Sequence, residues 1–277
     1  MAILQRMTIA FLTVAMLATG AVRAASTTNF SDNWYIENQA GWGMLVQQQT
    51  DVLFIGLFVY GADNKPTWFT ATAVYQSNSV AGHVVFTGDL YLTNGTYYGA
   101  TWNPAALGYT KVGTLTFDAT TTNEATLTYT VDGMPVVKNV TRLLLRYENL
   151  SGKYSGGWNS DKSGCINAPL NAPPVHDEDP LTITIDHAAD NAVMMVLQFA
   201  DGSSIALRGT YSQSGRMGRI VGEFDQSYST WSYGSIDMVE IETTISSFTA
   251  RFSGDLIMAR WRDHCFMTNG RIGGVRR

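Results

Sequence analysis

Charged residues are scarce in this sequence, and a basic excess is absent. Only 15% of the 277 residues are charged, with 18 lysines and arginines against 23 acids, which gives a formal net charge of −5. Nucleic acids and anionic lipid surfaces are bound through basic patches. The composition therefore argues against nucleic acid as a partner, and the mild acidity favours solubility rather than a particular ligand.

Long apolar runs are also missing, apart from one near the N-terminus. A membrane-spanning helix needs about 18 to 20 consecutive apolar residues, and no later segment reaches that length, so no membrane span is expected in the mature chain. Met7–Leu17 is apolar except for two threonines, follows Arg6, and leads into small residues that end at Ala24. This layout is typical of a secretory leader. We expect residues 1–24 to be a signal peptide cleaved after Ala24, and the protein to be periplasmic or secreted.

Only two cysteines are present, Cys165 and Cys265. An exported chain enters an oxidising compartment, in which paired cysteines form disulfides. We expect one disulfide between them, and closing so long a loop would contribute about 4–5 kcal/mol in the chain-entropy model. Two free buried thiols are the alternative. Both cysteines fall in the C-terminal half, which indicates that this half is one folded unit.

Helical periodicity is absent, and alternation with a period of two takes its place. Residues 125–131 read Ala-Thr-Leu-Thr-Tyr-Thr-Val, and the pair Asp132-Gly133 that follows is a typical hairpin turn. Such alternation favours antiparallel sheet with one buried and one solvated face. The predicted strands are 33–37, 42–49, 52–61, 67–76, 83–92, 111–118, 125–131 and 136–147, then 153–158, 181–187, 192–200, 204–212, 216–224, 232–242 and 248–259, with a last segment near 265–272.

We therefore predict a soluble all-β protein of two consecutive antiparallel meander β-barrels or sandwiches, with about eight and seven strands. The first β-domain would span 25–149, and the second, with the disulfide, 150–277. Residues 167–180 contain four prolines and a charge cluster, and we predict a loop there because proline cannot donate to a strand ladder. An outer-membrane barrel is the competing interpretation. The polar threonine face of 125–131 argues against it, since a lipid-facing wall is continuously apolar.

Short motifs recur along the chain in a fixed order. In the first half they are Trp34, Gly41-Trp42-Gly43, Gln47-Gln48, Phe58-Val59-Tyr60, Pro66-Thr67-Trp68, Gly88–Tyr91, Val112–Phe117, Tyr129–Gly133 and Lys138–Arg142; in the second half they are Tyr154–Trp158, Ser163–Cys165, Gly209–Gln213, Gly215–Gly218 and Gly270–Arg277. With these motifs the chain resembles a two-module family of exported proteins of proteobacteria. The resemblance implies export and the two-module layout, and it brings no activity. The second module of that family often carries further cysteines, near Ile205 and Gln226 here, and their absence leaves Cys165 with Cys265.

Motifs for catalysis or metal binding are lacking. The histidines His83, His176, His187 and His264 show no zinc-ligand spacing. The cluster His176–Asp179 offers oxygen ligands for calcium but not the spacing of a calcium loop, so a solvated acidic loop is favoured. No Gly-x-Ser-x-Gly motif is present. Carboxylate pairs can be drawn from Glu37, Asp51, Asp89, Glu223, Glu240 and Glu242, but a sequence does not show their separation. We predict no catalytic residue, no metal and no cofactor.

Aromatic residues give the candidate binding site. An eight-stranded barrel has room for one small ligand, and the residues that we predict to bind it in the first barrel are Trp34, Trp42, Gln48, Trp68, Tyr91 and Arg142. Lys138 and Arg142 share strand parity with apolar residues, and a buried cation requires an acidic partner or an anionic ligand. The alternative interpretation is that the tryptophans form the core and the cations pair with an acid, such as Glu37.

The leading functional hypothesis is an exported, non-catalytic binding or interaction protein. Its partner would be a small apolar, sugar-like or lipid-like molecule in an aromatic-lined β-barrel, or another envelope or extracellular component. One alternative is a hydrolase that acts on an envelope or extracellular polymer. The other is a structural or accessory envelope protein that docks through a sheet edge.

Overall fold

The computed structural model describes residues 28–77, 79–166, 175–227, 232–258 and 262–277, without the side chains of 175–178 and 227. Strands dominate these ranges, and the one helical element in them is a short 3-10 turn at Pro104–Ala106. The strands form two closed antiparallel barrels, so the prediction of an all-β chain with two consecutive barrels is confirmed. The predicted signal peptide at 1–24 lies outside the described residues.

The first barrel is an eight-stranded meander. Its strands are β1 Asp32–Tyr35, β2 Gly43–Gln49, β3 Val52–Tyr60, β4 Pro66–Tyr75, β5 Val84–Asn94, β6 Gly108–Ala119, β7 Glu124–Val131 and β8 Met134–Arg142. Each strand pairs with the next along the chain. The barrel closes where β1 pairs with β8, through Trp34 opposite Arg142 and Tyr35 opposite Thr141.

The second barrel also has eight strands. They are β9 Gly152–Ser163, β10 Val175–His187, β11 Ala192–Phe199, β12 Ser204–Ser214, β13 Met217–Ser227, β14 Ser232–Thr243, β15 Ser247–Met258 and β16 Asp263–Arg276. β9 lies between β10 and β16 and closes the barrel. The sequence predicts seven strands for this half and a last segment near 265–272. That segment lies in β16, the eighth strand of the barrel.

Alternating burial explains why these sequences become strands. In β7 the residues Ala125, Leu127 and Tyr129 are buried, while the threonines between them are exposed or half-buried. Asp132 and Gly133 then have φ angles of 49° and 82°, as a two-residue hairpin turn requires. The period of two thus places apolar side chains inside the barrel and threonines on its outer wall.

The interior of each barrel is filled by its own apolar core. In the first barrel Phe30, Trp34 and Phe117 pack edge-on or tilted, and the rings of Trp34 and Phe117 have their centres 5.2 Å apart. In the second barrel Trp158 stacks on Phe252 with 5.6 Å between ring centres. The two cores share no buried residue.

The loop predicted at 167–180 is wrong from Val175 onward, because β10 begins there and includes Pro180, which lies opposite Gly157; residues 167–174 lie outside the described residues. The pairing of β10 with β11 begins only at Leu181. Before that residue β10 pairs on one side alone, so the missing N–H of Pro180 need not interrupt a ladder on the other side.

The two barrels contact each other around Asp32. One carboxylate oxygen of Asp32 accepts a hydrogen bond from the Arg142 guanidinium (3.1 Å) and another from the backbone N–H of Arg216 in the second barrel (3.0 Å). Close by, the rings of Tyr147 and Tyr211 pack edge-on, 5.7 Å apart between centres. This contact fixes which ends of the barrels face each other.

Cys165 and Cys265 form the expected disulfide across 100 residues of sequence. The bond joins the segment after β9 to β16, next to the pair of strands that closes the second barrel. Among the described residues, no helix has both the length and the apolar character needed to cross a bilayer.

Candidate functional site

Three of the predicted ligand-binding residues lie together at the end of the first barrel that faces the second. Trp34 is 1% exposed and donates its indole N–H to the carbonyl of Phe30 (3.1 Å). The guanidinium of Arg142 lies 4.9 Å from the centre of the Trp34 ring. Gln48 accepts the backbone N–H of Phe30 (2.8 Å). These side chains hold the segment before β1 across the end of the barrel.

Arg142 is the buried cation that the sequence indicates, and its partner lies within the protein. Its side chain is fully buried beside Asp32, not Glu37. The guanidinium also donates to the carbonyls of Asn29 and Thr122, both at 2.7 Å. Burial lowers the pKa of Arg142, and the hydrogen bond and charge of Asp32 oppose that shift. The described contacts therefore satisfy this cation without an anionic ligand.

The other three predicted residues lie elsewhere in the first barrel. Trp68 and Tyr91 are on the outer wall, where Trp68 is 55% exposed. Trp42 lies at the opposite end from Trp34, half-buried against the core, and its indole N–H has no hydrogen-bond partner among the described residues. The six residues therefore occupy three places and do not form one site.

A concave site is found instead at the far end of the second barrel, away from the turn that contacts Asp32. The cavity there has a volume of about 480 Å³. Eight of its 14 lining residues are apolar or aromatic: Trp158, Phe199, Ala200, Ile205, Phe224, Leu256, Met258 and Met267. Its polar lining residues are Lys162, Asp179, Asp201, Ser203, Gln226 and Ser232.

A smaller and wholly apolar cavity of about 20 Å³ lies deeper in the same barrel. It shares four lining residues with the larger cavity: Trp158, Ile205, Phe224 and Met267. The two spaces are therefore neighbours along the barrel axis, with Trp158 in the wall of both. Apolar side chains thus continue from the wide cavity into the core.

Trp158 is positioned by glycines in β9 and β16. A side chain at Gly156 would collide with the backbone of Gly273 across the sheet, so the two strands approach closely only because glycine is present there. The Trp158 ring then stacks on Phe252 and packs edge-on against Phe199. Its orientation is therefore fixed before any ligand binds.

Two buried polar groups near this cavity lack hydrogen-bond partners among the described residues. They are the indole N–H of Trp158 and the hydroxyl of Ser160, which follows two positions later on the same face of β9. A buried polar group without a partner costs about 1–3 kcal/mol. A ligand atom that accepts a hydrogen bond would remove that cost for Trp158.

The polar edge of the cavity is partly ordered by Asp201. Its carboxylate accepts the backbone N–H of Ser203 (2.8 Å) and the Ser203 hydroxyl (2.7 Å). These hydrogen bonds lower the pKa of Asp201. Asp201 is therefore a carboxylate at neutral pH, and Ser203 has a carboxylate rather than an imidazole as its partner.

The described residues give little support for catalysis or metal binding. Ser235, Asp255 and His264 lie together, but the serine hydroxyl and the imidazole both contact the carboxylate (3.0 and 3.3 Å). In a hydrolytic triad the histidine contacts the serine. The one group of metal-ligand side chains in the described part of the chain is Cys165, Asp263 and Cys265, and its sulfurs are joined in the disulfide. The side chains of His176, Asp177 and Glu178, part of the candidate calcium cluster, lie outside the described residues.

Comparison with known proteins gives no relative: no family model, no curated protein and no solved structure matches this chain.

Proposed function

We propose that the protein is an exported, non-catalytic binding protein that holds a small, largely apolar ligand at the far end of the second barrel. The observation that carries the proposal is the 480 Å³ cavity lined by Trp158, a residue whose buried indole N–H has no hydrogen-bond partner among the described residues. Volumes of this size, apolar walls and a few polar groups are typical of small-molecule sites.

The lining defines the chemistry of the ligand. An apolar body would contact Phe199, Phe224 and Met267, because burial of apolar surface drives such binding. One acceptor atom, such as a carbonyl or ether oxygen, would take the Trp158 N–H. The polar lining carries charges of both signs, including Lys162 and Asp201, which favours an uncharged polar group over a strongly ionic one.

Export is part of the proposal and is supported by two features. The leader pattern at 1–24 is typical of secreted and periplasmic proteins, and the Cys165–Cys265 disulfide suits an oxidising compartment. The hydrolase alternative has no comparable support, since the Ser235, Asp255 and His264 group lacks the contacts of a triad.

Nile red is a suitable probe, because it is apolar and uncharged and carries a carbonyl acceptor. We expect saturable Nile red fluorescence with the wild-type protein and about three- to tenfold weaker binding by Trp158→Phe, which removes only the N–H donor. Ile205→Trp, which fills the cavity, should weaken binding further. Fluorescence titration measures both effects.

Trp42→Phe is the matched control, because Trp42 is also half-buried with an indole N–H that lacks a partner among the described residues, but it lies in the first barrel. It should bind Nile red like the wild type. If Trp158→Phe and Ile205→Trp both retain wild-type affinity while remaining folded, the proposed site is wrong.

A further inference from the structure

Three exposed aromatic side chains and one threonine form a row across the outer wall of the first barrel. Phe58 and Trp68 are 52% and 55% exposed and lie directly opposite each other on β3 and β4. The Trp68 indole N–H donates to the Thr93 hydroxyl on β5 (3.2 Å). Thr93 lies opposite Tyr109 on β6, which is 74% exposed. The row therefore crosses four adjacent strands, about 14 Å at the usual strand spacing.

A second line of residues widens this surface. Tyr91 packs edge-on against Tyr109, with 6.1 Å between ring centres. Gly56 has no side chain, and the Phe58 ring lies next to it: a Cβ atom built on Gly56 would be 3.8 Å from that ring. We call Phe58, Trp68, Tyr91 and Tyr109 the aromatic row.

Packing of the fold does not explain the aromatic row. The neighbouring residues Leu57 and Phe69 face inward and are buried, so the core of the first barrel is complete without these outward side chains. Contiguous exposed apolar surface on a folded protein marks an interaction site more often than scattered exposed residues do.

The surroundings of the row indicate the chemistry of its partner. The closed barrel has no free strand edge, so a partner cannot bind by adding a strand. The charges beside the row neutralise each other, because Lys111 contacts Asp89 at 2.7 Å. The chain as a whole is acidic. A polyanion is therefore repelled, and a neutral partner is favoured.

We propose that the aromatic row binds an uncharged polysaccharide chain. The C–H faces of neutral sugars stack on aromatic rings, whose faces are electron-rich. Tyrosine and tryptophan are suited to this contact because they are rigid and combine an apolar ring with a polar group. Thr93 and the exposed hydroxyl of Tyr109 are placed to hydrogen-bond sugar hydroxyls, while the Tyr91 hydroxyl donates to Asp89 (3.4 Å).

Calorimetric titration with cellohexaose, chitohexaose and maltohexaose tests the proposal. We expect at least one of these neutral oligosaccharides to bind, and Phe58→Ala/Trp68→Ala to weaken that binding by about tenfold or more. The matched control is Tyr233→Ala/Phe266→Ala, which removes two similarly exposed aromatic residues from the second barrel and should bind like the wild type.

Three outcomes would overturn the proposal. One is the absence of binding to all three oligosaccharides, and another is unchanged binding by the Phe58/Trp68 double variant. The third is a wild-type dimer, seen by light scattering, that this variant converts to monomer, because a second copy of the chain would then cover the row. Nile red titration of the same variant separates this proposal from the cavity site, which the Phe58 and Trp68 substitutions should leave intact.

Discussion

Arg142 is a charged residue whose hydrogen bonds are all made inside the protein. Its guanidinium donates to Asp32 and to the carbonyls of Asn29, Ser31 and Thr122. It thereby connects the segment before β1, the turn between β6 and β7, and the end of β8. A buried ion pair of this kind adds little when compared with apolar packing, but removal of one partner is costly.

Arg142→Met should therefore destabilise the protein by about 3–5 kcal/mol, because the buried Asp32 carboxylate and several carbonyls lose their donor. Urea unfolding measures the change. Arg208→Met is the control, since the Arg208–Asp225 pair is exposed on both sides and should cost less than about 1 kcal/mol. Equal losses in the two variants would contradict this account of Arg142.

Single residues also show the limit of prediction from sequence. Trp68 is difficult to place because Trp68 and Phe69, which face opposite sides of β4, are both aromatic; only the parity that Trp68 shares with Thr70 and Thr72 indicates that it faces outward. The structure buries Phe69 and exposes Trp68. Trp158 presents a similar difficulty, because the two glycines before it remove the contrast that marks an inward-facing position.

At the scale of strands, prediction succeeds wherever apolar and polar residues alternate. β7 and β11 lie within a residue or two of the predicted runs. The start of β10 was missed because proline and charge are normally signals of a loop. Pairing on only one side, which a sequence does not reveal, makes a strand possible there.

The disulfide links two elements of the second barrel, the segment after β9 and strand β16. Cys165→Ala/Cys265→Ala should lower the free energy of unfolding by about 2–5 kcal/mol, since a loop of 100 residues is no longer closed in the unfolded chain. Urea unfolding under oxidising conditions measures the loss. The wild type with added reductant serves as the comparison and should approach the variant; a variant as stable as the oxidised wild type would contradict the prediction.

At the scale of the molecule, the connection between the barrels is organised around His187 at the end of β10. Its buried imidazole accepts the backbone N–H of Leu150 at Nδ1 (3.3 Å), and its ring packs against Tyr211 with 4.7 Å between centres. The His187 backbone also exchanges hydrogen bonds with the Ser151 hydroxyl. The connection between the barrels is therefore held by an imidazole whose Nδ1 must be unprotonated, because it accepts the Leu150 N–H.

Burial lowers the pKa of His187 from its usual value near 6.5. The unfolded chain then binds a proton at a higher pH than the folded protein does. The contribution of His187 to stability is complete above about pH 6.5 and decreases as the pH falls below that value. Urea unfolding between pH 8 and pH 5 should show this decrease, and His187→Gln should reduce it. His83→Gln is the control; if both variants keep the wild-type pH dependence, the role of His187 is wrong.

The two-barrel architecture follows from the number and spacing of alternating runs, and the prediction reached it. The location of the cavity does not follow from these runs. Which barrel keeps space inside depends on how large side chains fit together once the strands close. Phe30, which precedes the predicted strands, enters the first barrel, whereas the far end of the second keeps an open volume beside Trp158.

The two seams that close these barrels differ in strength. In the second barrel nine residue pairs join β9 to β16, and a covalent bond stands beside them. In the first barrel only two pairs join β1 to β8. Thermal opening of this protein should begin at the β1–β8 seam. Backbone amides of β1 should therefore exchange with solvent sooner than those of strands that have long ladders on both sides.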